Sequence, residues 1–218
     1  MEKYLRLENV SKVFPIRGGL KYALRNINLK INYGDRIGIL GRNGSGKSTL
    51  IRIIGGATKP TTGRVERRMR VSWPIAFQGG FQGSLTGLDN LKFICRIYGV
   101  DWKEKLEMVK DFAELGRYFY EPVKTYSSGM RARLAFALSI AIDFDCYLID
   151  EVVAVGDQRF QNRSKEELFV KRGDRSFVLV SHQPRYIKEF CNRFFVITDG
   201  ILTEFESFQS AWEYYSKQ

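Results

Sequence analysis

Apolar and polar residues alternate over residues 4–10 and again over 24–31, the period of strands with one buried face. Gly34-Asp35 then turns the chain into Arg36 to Leu40, a short apolar run that reads as a buried strand. A glycine-rich loop follows, and Thr49 to Ile54 reads as an apolar helix, while residues 58–63 (TKPTTG) carry loop chemistry. From about residue 85 the period becomes helical. Leu88, Leu91, Cys95 and Tyr98 share one face before Gly99 stops that helix; Trp102, Leu106, Val109 and Phe112 mark a second helix and Arg131 to Ile142 a third. Two apolar strands follow, Cys146 to Ile149 and Phe177 to Val180, with a later strand over Phe194 to Thr198. In the tail, Phe205, Phe208, Trp212 and Tyr215 recur at helical spacing, as in a helix packed on a core. Strand–loop–helix units on either side of a helical block predict a parallel-sheet α/β domain with a helical insertion.

Composition narrows this only a little. A chain of 218 residues with 44% hydrophobic residues fits one compact domain, or a domain with an inserted lobe, and excludes disorder. Cys95, Cys146 and Cys191 are odd in number and in no CxxC spacing, which argues against a disulfide framework or a zinc site and for a reducing compartment. The start, MEKYLRLENV, has no signal-peptide core, and Leu134 to Ile142 falls far short of the roughly 20 apolar residues that span a bilayer. A soluble chain is expected. The net charge is +11, with clusters at Arg64, Arg67, Arg68 and Arg70, at Arg159, Arg163 and Lys165, and at Lys171 and Arg172. No aromatic–basic interleaving accompanies them, so no nucleic-acid partner is expected. A solvated face and proximity to anionic lipid both remain open.

The chemistry begins at Gly41-Arg42-Asn43-Gly44-Ser45-Gly46-Lys47-Ser48, a match to the P-loop pattern GxxxxGK(S/T) between a strand and a helix. Its glycines let the backbone curl so that successive N–H groups point at phosphates, and the next helix adds its positive dipole end. Lys47 supplies a charge between the β- and γ-phosphates, and the Ser48 hydroxyl suits Mg²⁺. Three later signals narrow the class. Tyr126-Ser127-Ser128-Gly129-Met130 opens the Ala/Leu-rich helix and offers a second helix N-terminus. The strand Cys146 to Ile149 ends in Asp150-Glu151, where Asp150 would hold Mg²⁺ and Glu151 would polarise an attacking water. His182, the only histidine, follows the strand Phe177 to Val180.

This ordered set resembles the ATP-binding cassette (ABC) family over essentially the whole chain. The resemblance implies a P-loop (RecA-like) ATPase core with antiparallel β strands and an inserted α-helical subdomain. The core would take residues 1–84 and 143–204, the helical subdomain 85–142 and a C-terminal helix 205–218, all within one ATP-binding domain. It also implies a homodimer that sandwiches two ATPs head to tail, each held by the P-loop of one copy and the signature of the other. Gly41, Asn43, Gly44, Ser45, Gly46, Lys47, Ser48 and Thr49 would then cradle ATP, with Ser127, Ser128 and Gly129 reaching its γ-phosphate across the dimer. Lys47, Glu151 and His182 would serve catalysis, His182 by sensing or orienting the γ-phosphate. Ala154 to Asp157 matches the family's D-loop at the dimer interface. Phe14, before Pro15, matches the aromatic that stacks on adenine, with Tyr22 as the alternative. A glutamine ahead of Leu85-Thr86 would serve both magnesium and catalysis; Gln78 fits that spacing better and Gln82 competes. The signature departs from the common LSGGQ form, with Ser128 in place of a glycine and Met130 in place of a glutamine, but the helix cap survives.

Within the family, Ser72 to Val100, YSSGMRARLAFALSIA and Asp150 to Ser164 look closest to the capsular-polysaccharide export type. That likeness implies a lipid-linked, acidic polysaccharide as cargo and a separate transmembrane permease as partner. Through the permease it also implies periplasmic and outer-membrane export components. The chain would sit peripherally on the cytoplasmic face of a bacterial inner membrane. The chain ends at Gln218, soon after its last helix, whereas O-antigen exporters often carry a further C-terminal domain; this favours the capsule type. An O-antigen or teichoic acid exporter, importer or drug-exporter cassette is the serious alternative. A non-transport ABC ATPase would usually show two cassettes or a long coiled-coil insertion.

Overall fold

The computed structural model describes residues 2–75, 82–150, 157–181 and 184–218. The two alternating stretches form one long hairpin, β1 (Tyr4–Ile16) antiparallel to β2 (Gly19–Asn32). Register shifts interrupt it near Asn9 and Asn26, which adopt left-handed conformations (φ 49° and 47°) and add local twist. The strand β3 (Arg36–Leu40) joins a second sheet, and β4 (Thr62–Arg67) returns to pair with β1. Thr62 and Gly63, read from sequence as loop, are thus the start of a strand.

The second sheet adds β5 (Val71–Pro74), β6 (Cys146–Asp150), β7 (Ser176–Val180), β8 (Arg193–Thr198) and β9 (Ile201–Phe205). Its order is β5-β6-β7-β3-β8-β9, parallel except for β9 against β8. The interior strands are buried on both faces, which is why they read as apolar runs without alternation. The three-stranded sheet, the six-stranded sheet and the helix α1 (Lys47–Ile54) share one core around Leu5, Leu29, Ile39, Ile51 and Val178. At the entry to β6, Asp145 accepts bonds from Lys3 Nζ at 2.7 Å and the Arg70 N–H at 2.8 Å. Burial pushes its carboxyl up, but these two bonds together with the charges of Lys3 and Arg175 hold it below the usual range.

Residues 1–74, 144–152 and 173–218 form one compact unit, and 75–143 with 153–172 form another. The second unit is helical. Thr86 and Asp89 close a capping box on α2 (Gly87–Tyr98), which ends at Gly99 with φ 66°. Asp101 caps α3 (Trp102–Ala113), and α4 (Ser128–Ala141) begins three residues earlier than the sequence suggests because the Ser127 hydroxyl accepts the Met130 N–H. A further helix, α5 (Gln158–Lys165), runs on into a π-type turn, Glu166–Val170. The rings of Phe112, Phe136 and Phe160 cluster with centroids 5.1–5.8 Å apart, joining α3, α4 and α5. That packing explains why the described residues 157–172 group with the helices, beyond the expected 85–142. The first unit also contains α6 (Pro184–Phe190) and the tail helix α7 (Phe208–Ser216), whose Ala211 is buried. Among the described residues, no helix is long and apolar enough to cross a membrane.

Candidate functional site

The loop between β3 and α1 is shaped by what it lacks. Gly46 has φ 115°, and a Cβ there would lie 2.4 Å from the Ala23 carbonyl oxygen of β2. Only glycine allows that backbone conformation beside that strand. Gly46 also begins α1 without a side-chain cap, and no acidic residue occupies the first turn, so the helix end is an anion site with nothing negative built into it. Lys47 reaches back across the loop, its Nζ donating to the carbonyls of Gly41 at 2.6 Å and Arg42 at 2.8 Å. The Ser45 hydroxyl is buried and finds no partner among the described residues.

A cleft of about 280 Å³ opens on this loop, lined by Phe14, Lys21, Ala23, Asn43, Gly44, Gly46, Lys47, Ser48, Thr49 and Asp150. Two hard oxygen donors, the Ser48 hydroxyl and the Asp150 carboxylate, thus share one wall system with an ammonium group and a helix N-terminus. The donor set fits a divalent cation bound to phosphate oxygens. Gly41 and Ser45 do not line the cleft; Gly41 contributes its carbonyl to Lys47. Phe14 stands at the cleft and Tyr22 does not, because Phe14 pairs with Lys21 while Tyr22 pairs with Val13 and so projects from the other face of the hairpin. The Tyr22 ring instead carries the Arg25 guanidinium at 4.4 Å.

In the helical unit, Ser127, Gly129 and Met130 line a separate pocket of about 320 Å³ with Glu114, Leu115, Tyr118 and Arg133. Ser127 caps α4, accepting from Met130 N at 3.2 Å, and Ser128 is the first helical residue, exposed. This helix is buried almost all round from Leu134 to Ala141, so only its N-terminal turn remains open to a ligand.

Residues 24–154 match the family described as ABC transporter. The chain belongs to that family. It is 56% identical to the ATP-binding protein BexA of Haemophilus influenzae, over 98% of each chain. It is equally similar, at 56% over 97% of this chain and 98% of the other, to the capsule polysaccharide export ATP-binding protein CtrD of Neisseria meningitidis. The polysialic acid transport ATP-binding protein KpsT of Escherichia coli is 44% identical over 97% of this chain and 96% of its own. Among solved structures, the dimeric ATP-binding cassette MJ0796 bound to ADP and Pi shares the fold, with a TM-score of 0.76 at 23% identity over 92% of this chain and 98% of that one.

Of the residues the sequence marks in this ABC chain, Glu151, Gln78, His182 and residues 154–156 of the D-loop match lie outside the described residues. Gln82 is exposed, its carbonyl accepting from the Leu85 N–H at 3.0 Å. Two lining residues carry no motif. Ala23 supplies the carbonyl that excludes a side chain at Gly46. Lys21 adds a second ammonium group opposite Phe14. Its neighbours are engaged: Lys12 bonds the Lys59 carbonyl, and Arg25 lies over Tyr22. The signal for Lys21 was available in the hairpin, since Arg17-Gly18 is a two-residue turn that pairs Ile16 with Gly19 and therefore Phe14 with Lys21.

Proposed function

We propose that this chain is the ATP-binding and ATP-hydrolysing subunit of an ABC exporter that drives lipid-linked capsular polysaccharide across a bacterial inner membrane. The ATPase half rests on one observation, the convergence of Phe14, Lys47, Ser48 and Asp150 on a single cleft at a helix N-terminus. The cargo half is supported by the 56% identity with a capsule polysaccharide export protein over nearly the whole chain.

In this reading the whole chain is one ATP-binding domain. Phe14 stacks on adenine, the loop N–H groups and Lys47 bind the phosphates, and Ser48, Asp150 and Gln78 hold Mg²⁺ directly or through water. The chemistry magnesium supplies when bound is neutralisation of charge on the phosphate oxygens. Glu151 orients and deprotonates the attacking water, and His182 steadies the γ-phosphate. Ser127, Ser128 and Gly129 contact the γ-phosphate held by a second copy, so two copies complete two sites. A separate transmembrane permease carries the polysaccharide, and the subunit works peripherally on the cytoplasmic face.

Glu151→Gln keeps size and polarity while removing the base, a loss that typically costs about 10²–10⁴ in rate. The variant should bind ATP as wild type does, hydrolyse it poorly and sediment as a dimer in Mg-ATP. Adding Ser127→Arg should restore the monomer without changing ATP affinity. A monomeric Glu151→Gln at saturating Mg-ATP would count against the sandwich. Co-purification of the permease, and loss of surface polysaccharide when the gene is deleted, test the cargo.

A further inference from the structure

Asp199-Gly200 joins β8 to β9 as a two-residue turn with both residues left-handed (φ 48° and 79°), the geometry that Asp-Gly favours in hairpins. This turn lies against the phosphate-binding loop. The Gly200 N–H donates to the Ser45 carbonyl at 3.0 Å, and the Gly200 carbonyl accepts the Arg25 N–H of β2 at 2.8 Å. Gly41 sits so close to β8 that a Cβ there would lie 2.7 Å from the Ile197 carbonyl oxygen. Because a trans peptide is planar, a Ser45 carbonyl turned towards Gly200 sends the Gly46 N–H the opposite way. Gly46 lines the cleft and leads into α1.

A second set of bonds closes around the same turn. Arg42 Nη1 donates at 2.7 Å to the main-chain oxygen of Gln218, the second residue past α7. Gln218 Nε2 in turn donates to the Thr198 hydroxyl at 2.6 Å. Within the loop, the Arg42 carbonyl accepts the Ser45 N–H at 3.2 Å as well as Lys47 Nζ. The path returns on itself, from Arg42 to Gln218, to Thr198, through the turn to Gly200, to Ser45 and back to Arg42. α7 is held separately: Phe208 packs on Phe194 of β8, Tyr214 packs on Phe205 of β9, and Ala211 is buried. Arg42 is exposed and is not among the residues lining the cleft.

We propose that Arg42 and Gln218 are positioning residues that clasp the phosphate-binding loop to the Asp199-Gly200 turn. The clasp fixes the Ser45–Gly46 peptide in the orientation that presents its N–H to phosphate. A loop already held in its binding conformation loses less freedom when the ligand arrives, so the effect falls on affinity and not on the chemical step. The affinity part of this proposal rests on the ATP-binding reading above; the clasp itself does not.

The test uses Arg42→Gln, Gln218→Ala, their double variant and Thr198→Val in the full chain. Valine keeps the β-branched shape that suits a strand and removes only the hydroxyl. Gln209→Ala, at an α7 residue outside the circuit whose side chain bonds Glu213, is the control. Each of the three single variants should weaken ATP about 3- to 10-fold by calorimetry, the scale of one hydrogen bond's net contribution. Inorganic triphosphate, which has no base or ribose, should lose the same factor. At saturating ATP, kcat should stay within about twofold of wild type, with an unchanged melting temperature. The double variant should be no weaker than the weaker single, and Arg42→Lys, which keeps a donor, should recover part of the affinity. Amide exchange in the peptide covering 41–50, measured without nucleotide, should rise in Arg42→Gln and Gln218→Ala and not in Gln209→Ala. Unchanged exchange overturns the clasp, whatever the affinities. Wild-type affinity in Gln218→Ala, multiplicative losses in the double variant, a loss for ATP but not for triphosphate, or an equal loss in Gln209→Ala overturns its role in binding. A wild-type chain that binds neither ATP nor triphosphate would sink the nucleotide reading alone, leaving exchange to decide the clasp.

Discussion

In the unit that contains the P-loop, the candidate site is made chiefly of backbone: a left-handed glycine, an uncapped helix end and carbonyls gathered under Lys47. In the helical unit the corresponding pocket is made of side chains, with a serine cap, a glutamate and an arginine whose two arms are already committed. The first arrangement is set by strand–loop–helix geometry and leaves no room for adjustment. The second places a capped helix end beside an arginine paired with Glu114 and Asp157. The two sites are thus built from different atoms, main-chain groups in the one and side chains in the other.

Two glycines make the sharpest break. At Gly46 an added methyl would strike the Ala23 carbonyl at 2.4 Å in a conformation that L-residues rarely adopt. At Gly129 it would meet only the Ser127 hydroxyl, at an ordinary 3.9 Å. Gly46→Ala should therefore reduce ATP affinity by about 100-fold or more, the equivalent of about 2.7 kcal/mol, as read by calorimetry. Retained affinity would mean that the cradle tolerates reshaping and that the contrast is false. Between these extremes stands Lys21→Gln, which removes a side-chain charge from the backbone-built site. It should weaken ATP three- to tenfold, about 0.7–1.4 kcal/mol, with Lys21→Arg close to wild type. An unchanged affinity at low salt would remove Lys21 from the nucleotide. The smallest effect belongs to Gly129→Ala, which should leave ATP affinity intact and raise stability by about 0.5–1 kcal/mol, seen in denaturant melts. Any loss would be confined to dimer formation and turnover.

Much of the first unit was legible because its signals are local. The apolar run Arg36 to Leu40, the glycines after it and the carboxylate at the end of β6 are each readable within a few residues. Their convergence follows from parallel strands whose C-terminal ends share one edge. The hairpin was read short: beyond Val10 on β1 and before Ala23 on β2 most positions are solvent-accessible, so no alternation marks the strand. β9 and α6 went unread for the same reason, one mostly exposed and the other burying only Ile187 among its residues. The ionic network of the second unit left no sequence trace. Glu114, Arg133 and Asp157 lie on three different elements, and only packing of Phe112, Phe136 and Phe160 brings those elements together. The segment 157–170 has few apolar residues and reads as surface, although Phe160, Leu168 and Phe169 anchor it.

The burial of the strand that delivers Asp150 has a practical corollary. Cys146 opens that strand with no exposed surface, and burial pushes its thiol up to about 12. Burial likewise raises Cys95 in α2 and Cys191 after α6, so all three sulfurs stay protonated and weakly nucleophilic near neutral pH. Cys95 and Cys146, which are also buried, therefore offer little to alkylating reagents, whereas Cys191 is partly exposed. With Cys191 replaced by serine, one cysteine introduced at an exposed position, on α5 or at the hairpin tip, could be labelled selectively.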